Sequence, residues 1–257
     1  MGNFIKIGTT LTNPNITKLT RDSLIDANTV FIADLSRKAS NPAQVDLSNG
    51  NLLYNLTNGG LNATTITGTK IPFSAAGKYL TKEVGDISSR IQLPDTCKVL
   101  ATDNSFQFTL WFTELAGQDT TGSQGLAGYA SNSSNQMAFA FYWFDGQYFL
   151  GCAGNRHPIA TPAVGAVSQL TVACDRNLGI RKYYYNGALV RSETNQVIND
   201  MPIPVAGSNP WLFYLGGGFN SRRNVKLHRV WLDVNGPGDN FDAKVVRDWN
   251  ENKLKFV

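Results

Sequence analysis

The sequence predicts an all-β protein: an antiparallel jelly-roll β-sandwich with an extended N-terminal arm and one short C-terminal helix. The clearest signal is Asn186-Gly187, between the aromatic run Lys182–Tyr185 and the aliphatic run Ala188–Val190. Asn-Gly between two β-rich runs predicts a two-residue hairpin turn, because both turn residues must adopt positive φ. Such runs recur about every eight to twelve residues with turn signals between them, which is typical of sandwiches and jelly rolls. At 257 residues and 16% charged side chains, the chain suits one large domain of strands and loops.

The N-terminal residues differ from the remainder of the chain. Residues 1–27 alternate only weakly between polar and apolar and contain Pro14, so we expect an extended arm there and the jelly-roll domain over residues 28–257. The first predicted strands are, in order, Thr29–Ala33, Leu52–Tyr54 after an Asn49-Gly50 turn, and short segments between Thr64 and Leu80.

The strand Phe106–Phe112 alternates well at first. Phe106, Phe108 and Leu110 share one face, whereas Trp111 and Phe112 make the end of the strand apolar on both faces. The later predicted strands are Gly125–Ala130, Met137–Phe144, Gln147–Leu150 after an Asp145-Gly146 turn, Val167–Cys174, Leu212–Leu215 and Val225–Val234.

One helix is expected, from Asp242 to Asn250. Asp242 is a plausible N-cap, and Val245, Val246 and Trp249 lie at helical spacing.

Charge and cysteine content exclude several classes of protein. The net charge of +4 is too small to indicate nucleic-acid binding, and the densest basic spot, Arg222-Arg223 with Lys226 nearby, is expected to be solvated surface. Cys97, Cys152 and Cys174 are unevenly spaced and are expected to be reduced, buried thiols. The N-terminus lacks the apolar core of a signal peptide, and no apolar run is long enough to span a bilayer.

Several segments, in this order, carry a family likeness: Phe73–Leu80, Phe106–Phe112, the Tyr-Asn-Gly hairpin, Leu227–Leu232 and the terminal helix. Together they resemble the concanavalin A-like lectin/glucanase superfamily and, within it, the laminin-G-like or pentraxin-like jelly roll. The likeness covers roughly residues 64–257. It implies the fold more than the function, because this fold hosts lectins, hydrolases, adhesion modules and viral structural proteins.

Catalytic signatures are missing from the sequence. The glucanases of this superfamily carry two catalytic Glu on one strand, but none of Glu83, Glu114, Glu193 and Glu251 has another Glu within ten residues. No Gly-x-Ser-x-Gly elbow is present. His157 is expected in a surface loop before Pro158, and His228 on a sheet face. The prediction is therefore a protein that is not an enzyme.

No cofactor is expected, with calcium as the open alternative. Laminin-G-like and pentraxin-like domains hold Ca²⁺ in rim loops through Asp, Asn and backbone oxygens, and the calcium candidates here are Asp145, Asp175 and Asn177. Other rim residues of this type are Asp103-Asn104 and Asp239-Asn240. Ordinary Asx turns are the favoured interpretation of all of them.

Aromatic residues point to both faces of one strand. Phe139, Phe141 and Trp143 would share a face, with Tyr142 and Phe144 on the other. An antiparallel strand with one face exposed to solvent should alternate between apolar and polar side chains. Because this strand is apolar on both faces, its second face is either covered by protein or offers a contact platform. Cover by another subunit or by the arm is favoured. The alternative is a glycan platform, for which the candidates are Tyr142, Trp143 and Tyr148.

Two functions remain. The favoured one is a non-catalytic structural or decorating component of a virus particle, a bacteriophage head or tail protein that contacts other virion proteins or copies of itself. It would be located in the virion, make no direct contact with nucleic acid, have no membrane span and possess some glycan affinity. The alternative is a lectin-like adhesion module, with or without a requirement for calcium. A glycoside hydrolase or lyase is disfavoured because the Glu pair is missing.

Overall fold

In a computed structural model of the chain, the described residues are 22–83, 85–100, 103–117, 122–130, 137–152, 155–159, 161–194, 209–214, 223–236 and 240–256. The strands are β1 (Thr29–Asp34), β2 (Leu52–Leu53), β3 (Ala63–Ile66), β4 (Phe73–Ser74), β5 (Tyr79–Leu80), β6 (Arg90–Gln92), β7 (Ser105–Glu114), β8 (Gln124–Ala130), β9 (Met137–Phe144), β10 (Gln147–Cys152), β11 (Asn155–Ile159), β12 (Val167–Asp175), β13 (Ile180–Tyr185), β14 (Ala188–Glu193), β15 (Trp211–Leu212) and β16 (Val225–Val234). One α-helix, α1, spans Phe241–Asn252, and 3-10 turns span Lys38–Ser40 and Asp95–Cys97.

The strands form two antiparallel sheets, which confirms the predicted all-β sandwich. The β7 sheet has the order β14-β13-β12-β7-β16-β5-β4, with β1 also paired to β16. The β9 sheet has the order β11-β10-β9-β8-β15-β6-β3-β2. Each sheet combines hairpins of consecutive strands with neighbours that are distant in sequence, such as β12–β7 and β7–β16 in the β7 sheet and β8–β15 and β15–β6 in the β9 sheet, as expected of a jelly roll and not of a simple meander.

The core lies between the two sheets and follows the predicted alternation. Phe106, Phe108, Leu110 and Phe112 of β7 point into it, and the Phe108 and Phe141 rings meet across the sandwich with centroids 5.2 Å apart. Cys97, Cys152 and Cys174 are all buried free thiols, as predicted.

The outer face of the β7 sheet is covered by the protein itself. Trp111 stacks on Trp249 of α1 with ring centroids 5.3 Å apart, and Phe241 and Val245 pack on Ala173 and Tyr184. A second group on this face joins Leu24, Ile32 and Trp231. Strands of the β7 sheet that are apolar on both faces are therefore explained by the C-terminal helix and residues 22–27. The arm predicted over residues 1–27 otherwise lies outside the described residues.

Three local predictions differ from the structure. His157 and Pro158 lie in edge strand β11 and not in a loop; Pro is tolerated there because an edge strand needs no hydrogen bond from every N–H. β15 ends at Leu212 because Phe213 takes a φ of 64°. The N-cap of α1 is Asn240, while the carboxylate of Asp242 accepts the Tyr184 hydroxyl at 2.8 Å.

No helix within the described ranges is both long enough and apolar enough to cross a membrane.

The Asn186-Gly187 turn joins β13 to β14 as predicted, with φ of 51° and 77°. A Cβ on Gly187 would lie 2.8 Å from the Trp249 Cβ, whereas a Cβ on Gly146, in the matching β9–β10 turn, would meet nothing within 4 Å. We expect Gly187→Ala to lower the free energy of unfolding by at least about 2 kcal/mol, from φ strain plus displacement of α1.

Gly146→Ala is the matched control, because it adds only the φ strain, about 1 kcal/mol. Urea unfolding of both variants measures the difference. Equal losses would show that α1 does not pack tightly on this turn.

Candidate functional site

The residues predicted to form a glycan platform are buried. Trp143 and Tyr148 point into the core between the sheets, with 5% and 0% of their surface exposed. Tyr142 points the other way but is only 1% exposed, and its ring stacks on Phe149 at a centroid distance of 5.3 Å. None of these three rings offers an accessible face to a sugar, so the platform prediction is corrected. The physical reason is that Trp143 and Tyr148 lie on the inner face of the β9 sheet and pack in the core between the two sheets.

The basic spot predicted to be solvated surface includes a buried arginine. Arg223 is 2% exposed and forms a buried ion pair with Glu114, and both side chains hydrogen bond to the Tyr148 hydroxyl. The Arg223 guanidinium lies 3.9 Å from the centre of the Trp143 ring. Arg222 lies outside the described residues. This buried cluster closes one part of the sandwich and is out of reach of a substrate.

The three calcium candidates do not converge on one loop. Asp145 is exposed in the turn after β9, in the β9 sheet, whereas Asp175 ends β12 of the β7 sheet. The Asp175 carboxylate accepts the Leu178 amide at 2.9 Å, the Asx-turn role, and Asn177 is exposed in that turn. Within the described ranges, no group of three or more His, Cys, Asp or Glu is placed to hold a metal ion.

The best-formed candidate site is a cleft of about 750 Å³ on the outer side of the β7 sheet, next to the end of α1. We call it the basic cleft. Its lining residues are Ala76, Gly77, Lys78, Tyr79, Thr113, Gly165, Ala166, Val167, Lys226, His228, Trp249, Lys253, Leu254, Lys255 and Phe256. The volume is in the range of clefts that bind small ligands.

His228, on β16, lies in the floor of the basic cleft. Its Nδ1 is 3.0 Å from the Lys78 carbonyl oxygen, which can only accept, so Nδ1 carries the proton. Nε2 then accepts the Thr113 hydroxyl at 2.9 Å. Burial, with the nearby charge of Lys226, lowers the pKa of His228 to about 4, so the ring is neutral at pH 7.

Aromatic rings form the walls around this histidine. The Phe256 ring stacks on His228 at 4.9 Å, and the Tyr79 ring meets the histidine edge-on at 5.9 Å. Phe256 also contacts Trp111, which fixes the C-terminal segment against the sheet. The Lys78 ammonium donates to the Lys255 carbonyl oxygen at 2.9 Å and joins the segment to the β4–β5 turn.

Among the described residues, the lining of the cleft carries lysines but no acidic side chain. Lys78, Lys226 and Lys253 make no ion pair with a carboxylate in the described part of the chain: Lys226 lies 5.0 Å from the Tyr79 ring centre, and Lys253 is 3.4 Å from the Asn250 side-chain oxygen. Several lysines elsewhere are paired, such as Lys70 with Asp46 and Lys98 with Asp95.

Lys255 is the fourth lysine of the cleft, and it lies 3.8 Å from Asp34. An anion placed among the other three would therefore meet positive charge without displacing a carboxylate.

The buried state of His228 predicts a pH effect on stability. Its folded pKa of about 4 lies below the ordinary 6.5, so between these values the unfolded chain binds a proton that the folded protein does not. Stability should therefore fall as the pH drops from about 6.5 to about 4, by up to about 3 kcal/mol from this group.

Urea unfolding at pH 7, 5 and 4 checks this against His228→Gln, which retains a hydrogen-bonding side chain but does not titrate. The variant should lose less stability on acidification. An equal loss of stability in the wild type and the variant would show that His228 takes up its proton in the folded protein over the same pH range as in the unfolded chain.

Sequence reasoning missed most of the basic cleft. In the sequence, Lys226 stands out only as a neighbour of Arg223, and Trp249 only as a residue of the predicted helix. The alternation Lys253-Leu254-Lys255-Phe256 after the helix was the one local signal available, with basic and apolar side chains in turn. His228 was correctly placed on a sheet face.

No family model matches the sequence, and no curated protein matches it. Solved structures do resemble the fold. The Trypanosoma rangeli sialidase in complex with sialic acid matches with a TM-score of 0.57 and 12% identity, over 91% of this chain and 34% of the sialidase chain. The chain therefore spans about a third of that protein.

Two toxin domains are similar to a comparable degree. The botulinum neurotoxin serotype G binding domain has a TM-score of 0.52 and 15% identity, over 75% of this chain and 47% of that one. The binding domain of botulinum neurotoxin DC, in complex with rat synaptotagmin II, has a TM-score of 0.55 and 11% identity, over 81% and 51%. At these identities the likeness shows the fold alone.

Proposed function

We propose that the protein is a non-catalytic binding module that holds an acidic saccharide in the basic cleft. The observation that carries the proposal is the set of three lysines, Lys78, Lys226 and Lys253, which lack carboxylate partners within the described residues and surround an aromatic floor. A pocket that combines apolar rings with a few converging polar groups is the usual form of a small-ligand site.

The chemistry of the lining suits a sugar that carries a negative charge. Ammonium groups act as point charges that accept many anion geometries, unlike the rigid fork of arginine. The half-buried ring of Tyr79 offers apolar surface to the C–H face of a sugar ring, and the Thr113 and His228 pair leaves the floor uncharged at pH 7. Affinity should therefore be modest and should fall with added salt.

Structural neighbours support binding in general terms. The sialidase structure holds sialic acid, a sugar with a carboxylate, and one of the toxin domains holds a protein, synaptotagmin II. Both ligands are bound by those other proteins, and they indicate only which glycans to test first.

The non-catalytic part of the proposal rests on the lining of the cleft. Glycoside hydrolysis by the usual route needs two carboxylates on either side of the bond that breaks. None of the described lining residues is Asp or Glu. Glu114 belongs to the buried Arg223 cluster.

A structural role in a virus particle is the second proposal. The observation that favours a protein contact is edge strand β14, which pairs only with β13 in the described part of the chain and exposes Leu189 and Val190 by 47% and 44%. Unpaired edges of this kind invite pairing with another chain. Deletion of residues 1–21 and replacement of Leu189 by Lys should each reduce incorporation into particles; normal copy number in both would contradict the role.

A glycan array tests the first proposal. The full chain is screened in calcium and again in EDTA, beside the variant Lys78→Gln/Lys226→Gln. The proposal predicts binding to acidic glycans such as 3′-sialyllactose, no binding to lactose, no effect of EDTA and loss of signal in the variant. If the folded wild-type protein gave no binding signal on acidic glycans, the proposal would be contradicted. If EDTA abolished binding, the calcium prediction would be restored.

A further inference from the structure

A second charged group lies on the opposite side of the sandwich, on the outer face of the β9 sheet. Arg90 is in β6, where its neighbour Ile91 points into the core, so Arg90 and Gln92 point outward. The guanidinium carbon of Arg90 lies 4.8 Å from the centre of the Trp211 ring and 5.0 Å from that of Tyr214. The two rings meet edge to face, with centroids 5.9 Å apart. Arg90 therefore rests in an aromatic corner, which orients its planar group.

The described residues use none of the hydrogen-bonding capacity of Arg90. Its Nε is buried without a partner, and its guanidinium forms no hydrogen bond or ion pair with the described residues. A guanidinium presents five N–H donors in a fixed fork that matches a carboxylate, and a half-buried one without an acceptor is costly to leave unpaired. Cation–π contact with two rings holds the charge but satisfies none of these donors.

A polar pocket adjoins this arginine on the same sheet face. Gln92 is two residues further along β6, about 6.6 Å away, and is paired with Thr64 of β3 on one side and Trp211 of β15 on the other. Its side-chain amide has no hydrogen bond to the described residues. The pocket, of about 350 Å³, is lined by Asn62, Thr64, Gln92, Leu93, Pro94, Asp95, Lys98 and Asn209.

Amides and hydroxyls dominate this lining. Asn209 is fixed by its bond to the Leu93 carbonyl at 2.8 Å, and Lys98 pairs with Asp95 at 3.0 Å. Fixed amide groups of this type suit the hydroxyl groups of a sugar, each of which both donates and accepts.

We infer that Arg90, held by Trp211 and Tyr214, is a second binding site, which takes the carboxylate of a uronate-type saccharide while the amides of the adjoining pocket hold the sugar hydroxyls. This site is independent of the basic cleft. It differs in chemistry, because the arginine fork selects a planar carboxylate whereas the lysines of the cleft accept any anion.

The test uses the full chain with the cleft removed, Lys78→Gln/Lys226→Gln, so that only the Arg90 site is measured. Trigalacturonate is titrated by calorimetry, with its methyl ester as the uncharged control. We expect saturable binding of trigalacturonate and at least about tenfold weaker binding of the ester, which matches the loss of a charged hydrogen bond.

Arg90→Lys in the same background keeps the charge and should also weaken binding about tenfold, since it loses the bidentate fork. Gln92→Ala should weaken it less, and Lys38→Gln, a remote exposed control, should leave it unchanged. Thermal unfolding of each variant shows that it is folded.

Equal affinity of Arg90→Lys and its parent, or no binding of trigalacturonate to the cleft variant, would overturn the site. A fall in melting temperature without any change in affinity would show that Arg90 only packs against the rings. None of these results bears on the basic cleft, because ligand binding there is tested by the glycan array with the wild-type protein.

Discussion

Replacing Arg229 by Met is expected to lower the free energy of unfolding by about 3–5 kcal/mol, because it leaves buried carboxylates without their counter-charge. Arg229 is fully buried, and its guanidinium contacts Asp22 at 2.8 Å, Asp34 at 3.0 Å and Asp248 at 3.1 Å. These three acids come from the segment before β1, from β1 and from α1. The side chain thus joins the β7 sheet to the segment before β1 and to α1, which cover its outer face.

The same network reaches the basic cleft. Asp248 accepts the Trp111 indole N–H at 2.6 Å and the Gln169 amide at 2.7 Å, so it positions the sheet residues under the helix. Lys255, in the cleft wall, lies 3.8 Å from Asp34. Loss of Arg229 should therefore loosen α1 and the C-terminal segment first, and weaken ligand binding as well as stability.

Urea unfolding of Arg229→Met is compared with that of Lys70→Met. Lys70 and Asp46 form an exposed ion pair at 2.7 Å, with 48% and 36% of the side chains exposed, and such pairs contribute little. The control should unfold close to wild type. If Arg229→Met did so too, the covering of the β7 sheet would not depend on this network.

Removal of two cleft lysines should have the largest effect on binding. Each charged hydrogen bond contributes about 1.5–3 kcal/mol, so Lys226→Gln should weaken binding of an acidic glycan at least about tenfold, and Lys78→Gln/Lys226→Gln about a hundredfold. Lys226→Gln should hardly change stability, because Lys226 forms no ion pair within the described residues. Lys78→Gln also removes the hydrogen bond to the Lys255 carbonyl oxygen, so thermal unfolding is measured to show that the double variant is folded. Raising the salt from 50 to 300 mM should weaken the wild type more than the double variant.

The control for net charge is Lys38→Gln/Lys70→Gln, which removes two positive charges away from the cleft. Its affinity should match that of the wild type. An equal loss in both double variants would mean that the overall charge of +4, and not the cleft, attracts the ligand.

The long strands were predictable from sequence because their pattern is local. β7, β9, β12 and β16 show period-two alternation or long β-rich runs, and the turns at Gly146 and Gly187 carry explicit signals. Strands of two or three residues, such as β6, contain too few positions for any periodicity, so they depend on pairing with distant neighbours.

The glycan platform shows a second limit of the sequence. Alternation places Phe141 and Trp143 on one face of β9 but does not tell which face is inside. In the structure Trp143 points inward, as does Tyr148 of β10, and the Arg223 guanidinium lies over the Trp143 ring. The partner of Arg223, Glu114, is 109 residues away, so no spacing rule could find the pair.

The basic cleft was hidden for a similar reason. Its walls come from the β4–β5 turn, the loop before β12, β16 and the C-terminal segment, which meet only in the folded chain. The lysines and rings come from the β4–β5 turn, β16 and the C-terminal segment, and none of them stands out in its own segment of the sequence. What sets these lysines apart is that three of them without a carboxylate partner among the described residues converge on one cleft, which is a property of the fold.

Lysine footprinting tests the central claim most directly. The full chain is acetylated with a limiting amount of an amine-reactive ester, with and without the tightest acidic glycan from the array, and the modified sites are measured by mass spectrometry. Ligand in the basic cleft should slow acetylation of Lys78, Lys226 and Lys253 severalfold and leave exposed Lys38 unchanged. Saturating ligand that protects other lysines, or none of these three, would contradict binding in the cleft.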